Sequence, residues 1–195
     1  MSELWDIGQV PGVVCRKQQD LLGHTGVVAS EDNAYRYILW RAWGREENYC
    51  AWVMLNPSIA DAVKDDPTIK KCVGFSQKQG HSGIVVVNLF AFRSTDPRGL
   101  SESSDPVGSH NPHFVEQVLG HPAVKRIIVA WGNDGARDAR DEAFCVIHAH
   151  RELWCLRPPG KDALTQEGAP RHPGRIGYAS ELVRVAWDGA LTVER

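Results

Sequence analysis

Four short segments of this chain carry residue types that can do chemistry. The first runs Met54-Leu55-Asn56-Pro57-Ser58-Ile59-Ala60-Asp61 and continues to Asp65-Asp66-Pro67-Thr68. An apolar run that passes straight into Asn56-Pro57-Ser58 presents an amide, a fixed turn and a hydroxyl at one strand end. Such an amide can orient a water or read a base edge. Three carboxylates, Asp61, Asp65 and Asp66, lie within six residues. Turn chemistry plus a helix cap is enough to explain Asp66, but explains Asn56 less well.

The second segment is Asn88-Leu89-Phe90-Ala91-Phe92-Arg93. Asn88 ends a run of apolar residues, where a polar side chain needs a partner. Phe90 or Phe92 can stack on a planar ligand, and Arg93 can meet a phosphate. A structural Asn and core aromatics are the plainer alternative. The third segment, Ala130-Trp131-Gly132-Asn133, supplies a tight turn after an apolar run. The fourth, Pro170-Arg171-His172-Pro173-Gly174-Arg175, holds a histidine in a proline-framed basic loop. That is a poor setting for a core histidine and a good one for a group that must keep one position. The other seven histidines show no metal-ligand spacing, and His148 and His150 are too close in sequence to share a helix face.

Strand and helix signals say what must position these groups. Residues 35–41 and 50–55 read as strands that can form a hairpin. Asp66 as N-cap and Pro67 in the first turn open a helix that should run to about Gln79 and stop at Gly80. Residues 84–90 and 124–131 are largely apolar runs, as in strands buried on both faces of a parallel sheet. Helices are expected over 112–119 and 137–150, a short strand over 153–156, and a polar loop over 157–173. Residues 177–195 are expected to hold a helix and a final strand, and residues 1–34 show no clear period. Strand–helix alternation from 50 to 156 predicts an α/β protein, a three-layer α/β/α sandwich on a central, mainly parallel sheet. Ligands bind such sheets at the C-terminal strand ends, which is where all four segments fall.

Composition narrows the class. A chain of 195 residues, 43% hydrophobic and 24% charged, is sized for a single domain with an ordinary core. We divide it into an extension over 1–34, a core over 35–175 and an extension over 176–195. A formal charge of −2 argues against coating nucleic acid by bulk charge, yet allows a local basic cleft. No apolar run approaches a membrane span, and the first residues have no signal-peptide pattern, so the expected location is cytoplasmic. Five cysteines without a C-x-x-C pair read as small buried residues in a reducing compartment.

The order of these motifs resembles the uracil-DNA glycosylase superfamily. There, a water-activating motif follows the first core strand, and a later strand ends in an Asn that pairs with the flipped base. A Trp-Gly-like turn and a His-Pro-Ser loop come after it. The counterparts here are Leu55-Asn56-Pro57, Val87-Asn88-Leu89, Ala130-Trp131-Gly132 and His172-Pro173, the first closest to the mismatch-specific form. The chain also resembles a bacterial and phage domain family of unknown function through LNPSIAD, DDPT, VVNLFAFRSTDP, AWGN and PRHP. It departs from the glycosylases at Gly174-Arg175, where they have Ser and a wedge residue, and no aspartate adjoins Asn56.

The resemblance implies a uracil-DNA-glycosylase-like fold and a monofunctional DNA N-glycosylase, a hydrolase that flips a base and leaves an abasic site. Modified or mismatched bases, including those of modified phage DNA, are the expected substrates, with a role in antiviral defence. Asn56, helped by Asp61 or Asp65, would orient the water, and His172 would stabilise the leaving base. Asn88 would read the base and Phe90 would stack on it. Pro57, Ser58 and Trp131 would shape the pocket, while Arg93, Arg171 and Arg175 would hold phosphates. The implied chemistry needs no metal or cofactor, and the enzyme would act on DNA as a monomer, away from membranes. Two rivals remain at this point. One is a metal-dependent nuclease or phosphohydrolase using Asp61, Asp65 and Asp66. The other is a non-catalytic nucleotide- or nucleic-acid-binding module.

Overall fold

The computed structural model describes residues 10–21, 23–58, 60, 65–94, 100, 103–133, 152–187 and 190–194. The helix expected over 137–150, Cys145 and the candidate carboxylate Asp61 lie outside the described residues.

Nine strands form one sheet: β1 (Val13–Asp20), β2 (Gly23–Ser30), β3 (Arg36–Ala42), β4 (Tyr49–Met54), β5 (Gly83–Asn88), β6 (Val124–Val129), β7 (Leu153–Arg157), β8 (Glu181–Trp187) and β9 (Leu191–Val193). Their spatial order is β1-β2-β3-β5-β4-β6-β7-β8-β9. The middle is parallel: β4 pairs with β5 and β6, and β6 with β7. The other five ladders are antiparallel.

This corrects the expected three-layer α/β/α sandwich with a mainly parallel sheet. The sheet is mixed, and among the described residues it carries only two short helices, α1 (Pro67–Lys78) and α2 (Asn111–Gly120). The reason lies in the connections. Parallel neighbours need crossovers of a dozen or more residues, and only the middle of the chain supplies them. β1, β2 and β3 turn back through links of two and five residues, so they pair antiparallel.

Two further expectations fail for related reasons. The hairpin of 35–41 with 50–55 does not form, because the uniformly apolar β5 inserts between β3 and β4. The helix expected in 177–195 is absent among the described residues, where β8 and β9 form instead. Arg184 on β8 bridges Glu152 at 2.8 Å and Glu194 at 2.9 Å, which ties the last strands to the sheet through side chains no apolar period reveals.

Both faces of the central strands are buried, and the pleat divides their side chains between two cores. β5 sends Val85 and Val87 to the α2 face, with Phe114 and Val118. It sends Ile84 and Val86 to the α1 face, with Ile69, Cys72 and Phe75. Each of these larger apolar side chains contributes roughly 1.5–3 kcal/mol by leaving water. α1 begins as its sequence predicts: Asp66 Oδ1 accepts the Ile69 N–H at 2.8 Å, and Pro67 occupies the first turn. Its buried Ser76 accepts a hydrogen bond from Trp52 Nε1 of β4 at 2.9 Å. Cys50, Cys72 and Cys155 are buried as expected, and burial pushes the thiols of Cys50 and Cys155 up to about 12. Among the described residues, no helix is long and apolar enough to cross a membrane.

One irregularity bears directly on function. Val28 pairs with Ile38 and Ala29 with Arg36, so Tyr37 is an extra residue in β3. A one-residue bulge exchanges the faces of everything beyond it. Without it, Arg36 would share a face with Ile38 and Trp40. With it, Arg36 joins the α1 face, beside the end of β5.

Candidate functional site

A cavity of about 220 Å³ opens where β4, β5 and β6 end and α1 begins. At roughly 30 Å³ per molecule, it has room for several waters or one planar ring. It is also where ligands bind open parallel sheets. Asn56, Ser58, Asn88, Trp131 and His172 all line it, although the first and last are far apart in sequence.

Each element delivers its group for a local reason. β4 runs through Leu55 to Asn56, whose Nδ2 donates to the Ser94 carbonyl at 2.8 Å and to the Pro57 carbonyl at 3.3 Å. Ser94 N–H in turn donates to the Pro57 carbonyl at 3.2 Å, fixing the turn. The nitrogen end of Asn56 is therefore committed, and its Oδ1 is the end that can accept from a water. Asn88 sits level with Met54 on the neighbouring parallel strand. Its backbone carbonyl accepts from Asn111 Nδ2 at 3.0 Å, but neither Nδ2 nor Oδ1 of its own side chain has a partner. It is 1% exposed. A buried amide with both ends open carries a desolvation cost that a bound ligand can relieve.

His172 is set by contacts from two sides. Gly132, at φ +74°, donates its N–H to the Pro170 carbonyl at 2.9 Å. A Cβ there would lie 3.3 Å from His172 Cβ, so glycine lets the loop close on the end of β6. From α1, Lys71 Nζ donates to the Ile176 carbonyl at 3.1 Å, and the Tyr178 ring packs on Phe75 at 4.9 Å. Gly174 N–H donates to His172 Nδ1 at 3.2 Å. An Nδ1 that accepts leaves the neutral ring's proton on Nε2, which makes Nε2 the donor nitrogen of the ring.

The carboxylates part company. Asp65 Oδ1 accepts from Arg41 Nε at 2.7 Å, and Asp65 does not line the cavity. Asp66, 8% exposed, lines it together with Thr68. Asp65 is thus an ion-pair partner, and Asp66 is the described carboxylate at the cavity. Among the described residues, no three His, Cys, Asp or Glu side chains gather as a metal would require.

Other expected positions also divide. Phe90 is 1% exposed and packs in the core of the α2 face, away from the cavity, because it lies beyond the strand end on the opposite side from Asn88. This corrects its assignment as a stacking platform. The cavity's apolar walls are Met54, Leu55, Ile69, Val86 and Trp131. Arg171 is not turned to a phosphate: its guanidinium donates to the carbonyls of Asp162 at 2.8 Å and Leu164 at 3.1 Å, holding the preceding loop. Pro57 is buried in its turn, Arg93 is half-buried, and Arg175 is exposed in the 3-10 turn over Pro173–Arg175. Sequence reasoning missed Arg36, Thr68 and Ser94. Arg36 is 3% exposed, and its Nη1 donates to the Ala60 carbonyl at 2.7 Å. Only the β3 bulge brings it here, and no residue pattern announces that bulge.

The fold and site define an α/β protein with a mixed sheet and a polar, open cavity at the C-terminal ends of its parallel strands. The family model for a protein of unknown function, DUF1643, matches residues 36–174, and the chain belongs to that family. No curated protein matches it. The matched span takes in β3 through β7 and the His172 loop, and so every described residue of the cavity.

Proposed function

We propose that the protein is a DNA N-glycosylase that takes a flipped nucleotide into this cavity and hydrolyses its glycosidic bond. The observation that carries the reading is Asn88: a fully buried amide, open at both ends, in a cavity shared with Asn56 and His172. A base edge offers the paired donor and acceptor that such an amide needs. Trp131 and the aliphatic walls would hold the ring.

In this reading the C1′–N bond stretches toward an oxocarbenium-like state and its electrons pass to the base. The Nε2–H of His172 donates to the developing anion. Asn56 Oδ1 orients a water that adds to C1′ and loses its proton to solvent. Arg93 and Arg175 sit on segments that flank the opening and would meet the DNA backbone.

The test is incubation of the protein, in EDTA, with DNA carrying uracil, mismatched thymine and 5-substituted cytosines, followed by mild alkali. Strand breaks that appear only after alkali are expected. Removing one preorganised donor costs about 10²–10³ in rate, so His172→Ala should lose that much, and Asn56→Ala should also lose activity. Binding of DNA with no base released under any condition would leave a binding module and sink the enzyme reading.

A further inference from the structure

Resting on the reading of the cavity as a base pocket, we infer that the DNA beside it is single-stranded and lies along the outer face of α1. Its phosphates meet Lys70, Lys71 and Lys78, and one of its bases stacks on Tyr178.

α1 contains three lysines and no acidic residue, in a chain whose formal charge is −2. At 3.6 residues per turn, positions 70, 71, 74 and 78 fall within an arc of about 100°. The buried residues of α1 lie outside that arc. Lys70 and Lys78 are exposed and stand about 12 Å apart along the axis. None of the ion pairs among the described residues takes up Lys70, Lys71 or Lys78. Lys71 and Lys78 donate to the backbone carbonyls of Ile176 at 3.1 Å and Tyr178 at 3.2 Å, which does not neutralise an ammonium. The stripe therefore keeps its positive charge.

Tyr178 supplies an aromatic surface on the stripe and is 39% exposed. Its ring lies against Gly74, where a Cβ would come within 2.5 Å of the hydroxyl, and packs on Phe75 at 4.9 Å. Lys71 Nζ is 4.2 Å and Lys78 Nζ 5.5 Å from the ring centroid, and the hydroxyl donates to the Lys70 carbonyl at 3.3 Å. These contacts all come from α1, so the exposed part of the ring turns away from the helix. A basic track that carries an aromatic ring is how proteins follow a single strand: cations take the backbone and the ring takes a base.

The stripe starts at the cavity. Thr68 in the first turn of α1 and His172 both line it, and a Cβ on Gly174 would lie 3.6 Å from Thr68 Oγ1. α1 connects the parallel strands β4 and β5, so it runs from the cavity back along the sheet. A stiff duplex laid across the cavity does not follow that turn, whereas a single strand does.

The test reads binding and needs no turnover. Fluorescence anisotropy follows one labelled oligonucleotide, single-stranded or annealed to its complement, between about 50 and 200 mM salt. Lys70→Gln with Lys78→Gln should lower the log–log salt slope for the single strand by about 1.4, at about 0.7 per phosphate contact, and leave duplex binding unchanged. Lys17→Gln with Lys125→Gln removes the same charge from β1 and β6 and should change neither. Tyr178→Ala should weaken single-strand binding roughly 5- to 150-fold, the worth of one stacked base, with the slope kept. Tyr178→Phe keeps the ring and should bind as the native chain does. Circular dichroism checks the fold of each variant, and Lys70→Gln alone, lowering the slope by about 0.7, serves if the lysine pair does not fold.

Native-like binding by either the folded lysine variant or Tyr178→Ala overturns the inference, as does an equal loss on the duplex or from the Lys17 and Lys125 pair. Displacement of the strand by poly-glutamate as readily as by unlabelled DNA points to an acidic peptide and overturns it too. Each of these leaves the glycosylase reading to the alkali assay. The expected pattern in a protein that releases no base keeps the strand site and overturns the glycosylase reading alone.

Discussion

The side-chain amide of Asn111, the first residue of α2, donates to the backbone carbonyl of Asn88, the last residue of β5, at 3.0 Å. The same nitrogen reaches the Leu89 carbonyl at 3.2 Å. One buried amide thus fastens the end of the strand that presents Asn88 to the cavity. Asn111→Ala leaves two buried carbonyls without this donor and should cost about 1–3 kcal/mol. Urea unfolding measures it, and a change below about 0.5 kcal/mol would show that the strand end is held by other bonds.

Asn88→Leu should behave in the opposite way. Both side-chain amide atoms are buried without partners, so an apolar side chain of similar volume removes a desolvation cost of roughly 1–3 kcal/mol. Stability should hold or rise, and base release should be lost. Thermal unfolding and the alkali assay, run on the same preparation, check both halves. A marked fall in melting temperature would mean that the amide has a structural partner and is not waiting for a ligand.

Asp65 and Asp66 are adjacent in sequence and separable by experiment. Arg41 is 7% exposed in its side chain, so Asp65→Asn removes the carboxylate charge that lies 2.7 Å from a nearly buried guanidinium. Losing a partner of a fully buried pair costs about 3–5 kcal/mol. Asp65 keeps 27% of its side-chain surface, so about 1–3 kcal/mol is expected after solvent screening. Base release by the folded variant should be kept, because Asp65 does not line the cavity. If Asp65→Asn abolishes base release in a folded protein and Asp66→Asn does not, the roles assigned to the two carboxylates are reversed.

His81 adds a pH dependence unrelated to catalysis. It lies just before β5, 8% exposed, with Nδ1 2.9 Å from Asn48 Oδ1. Burial holds its pKa below the ordinary 6.5, and the charge of Arg126 lowers it further. As pH falls below about 6.5, the unfolded chain takes up a proton that the folded chain resists, so stability falls. His81→Gln should flatten the loss of melting temperature between pH 7 and pH 5. An unchanged slope would place the proton uptake elsewhere, with His121, also lowered by burial, as the next group to replace.

The legibility of this protein follows the range of its interactions. α1 could be read from Asp66, Pro67 and Gly80, because a cap, a first-turn proline and a glycine at φ +77° act within one turn of helix. β5 and the second half of β6, Ile127 to Val129, could be read because strand segments buried on both faces are apolar. β1, β2 and β8 could not, although a final strand was expected where β9 lies. They lie toward the sheet margins with much polar or exposed surface, and their pairing is carried by neighbours and by ion pairs such as Arg184 with Glu152 and Glu194. At the site, Asn56, Asn88, Trp131 and His172 were legible because polar groups after apolar strands fall where a sheet leaves room for a ligand.

By itself, the sequence determined the parallel centre, the two described helices and the ends at which a ligand would sit, since these depend on local chemistry and hydrophobic period. Only the tertiary structure decided which side chains meet there. It turned Asp65 to Arg41 and left Asp66 at the cavity, sent Phe90 into the other core, and spent Arg171 on loop carbonyls. It also brought in Arg36 through one extra residue in β3. A strand alternates its faces with a period of two, so a single bulge or the choice of neighbouring strand moves a side chain from one side of the sheet to the other. Composition and spacing do not register that event.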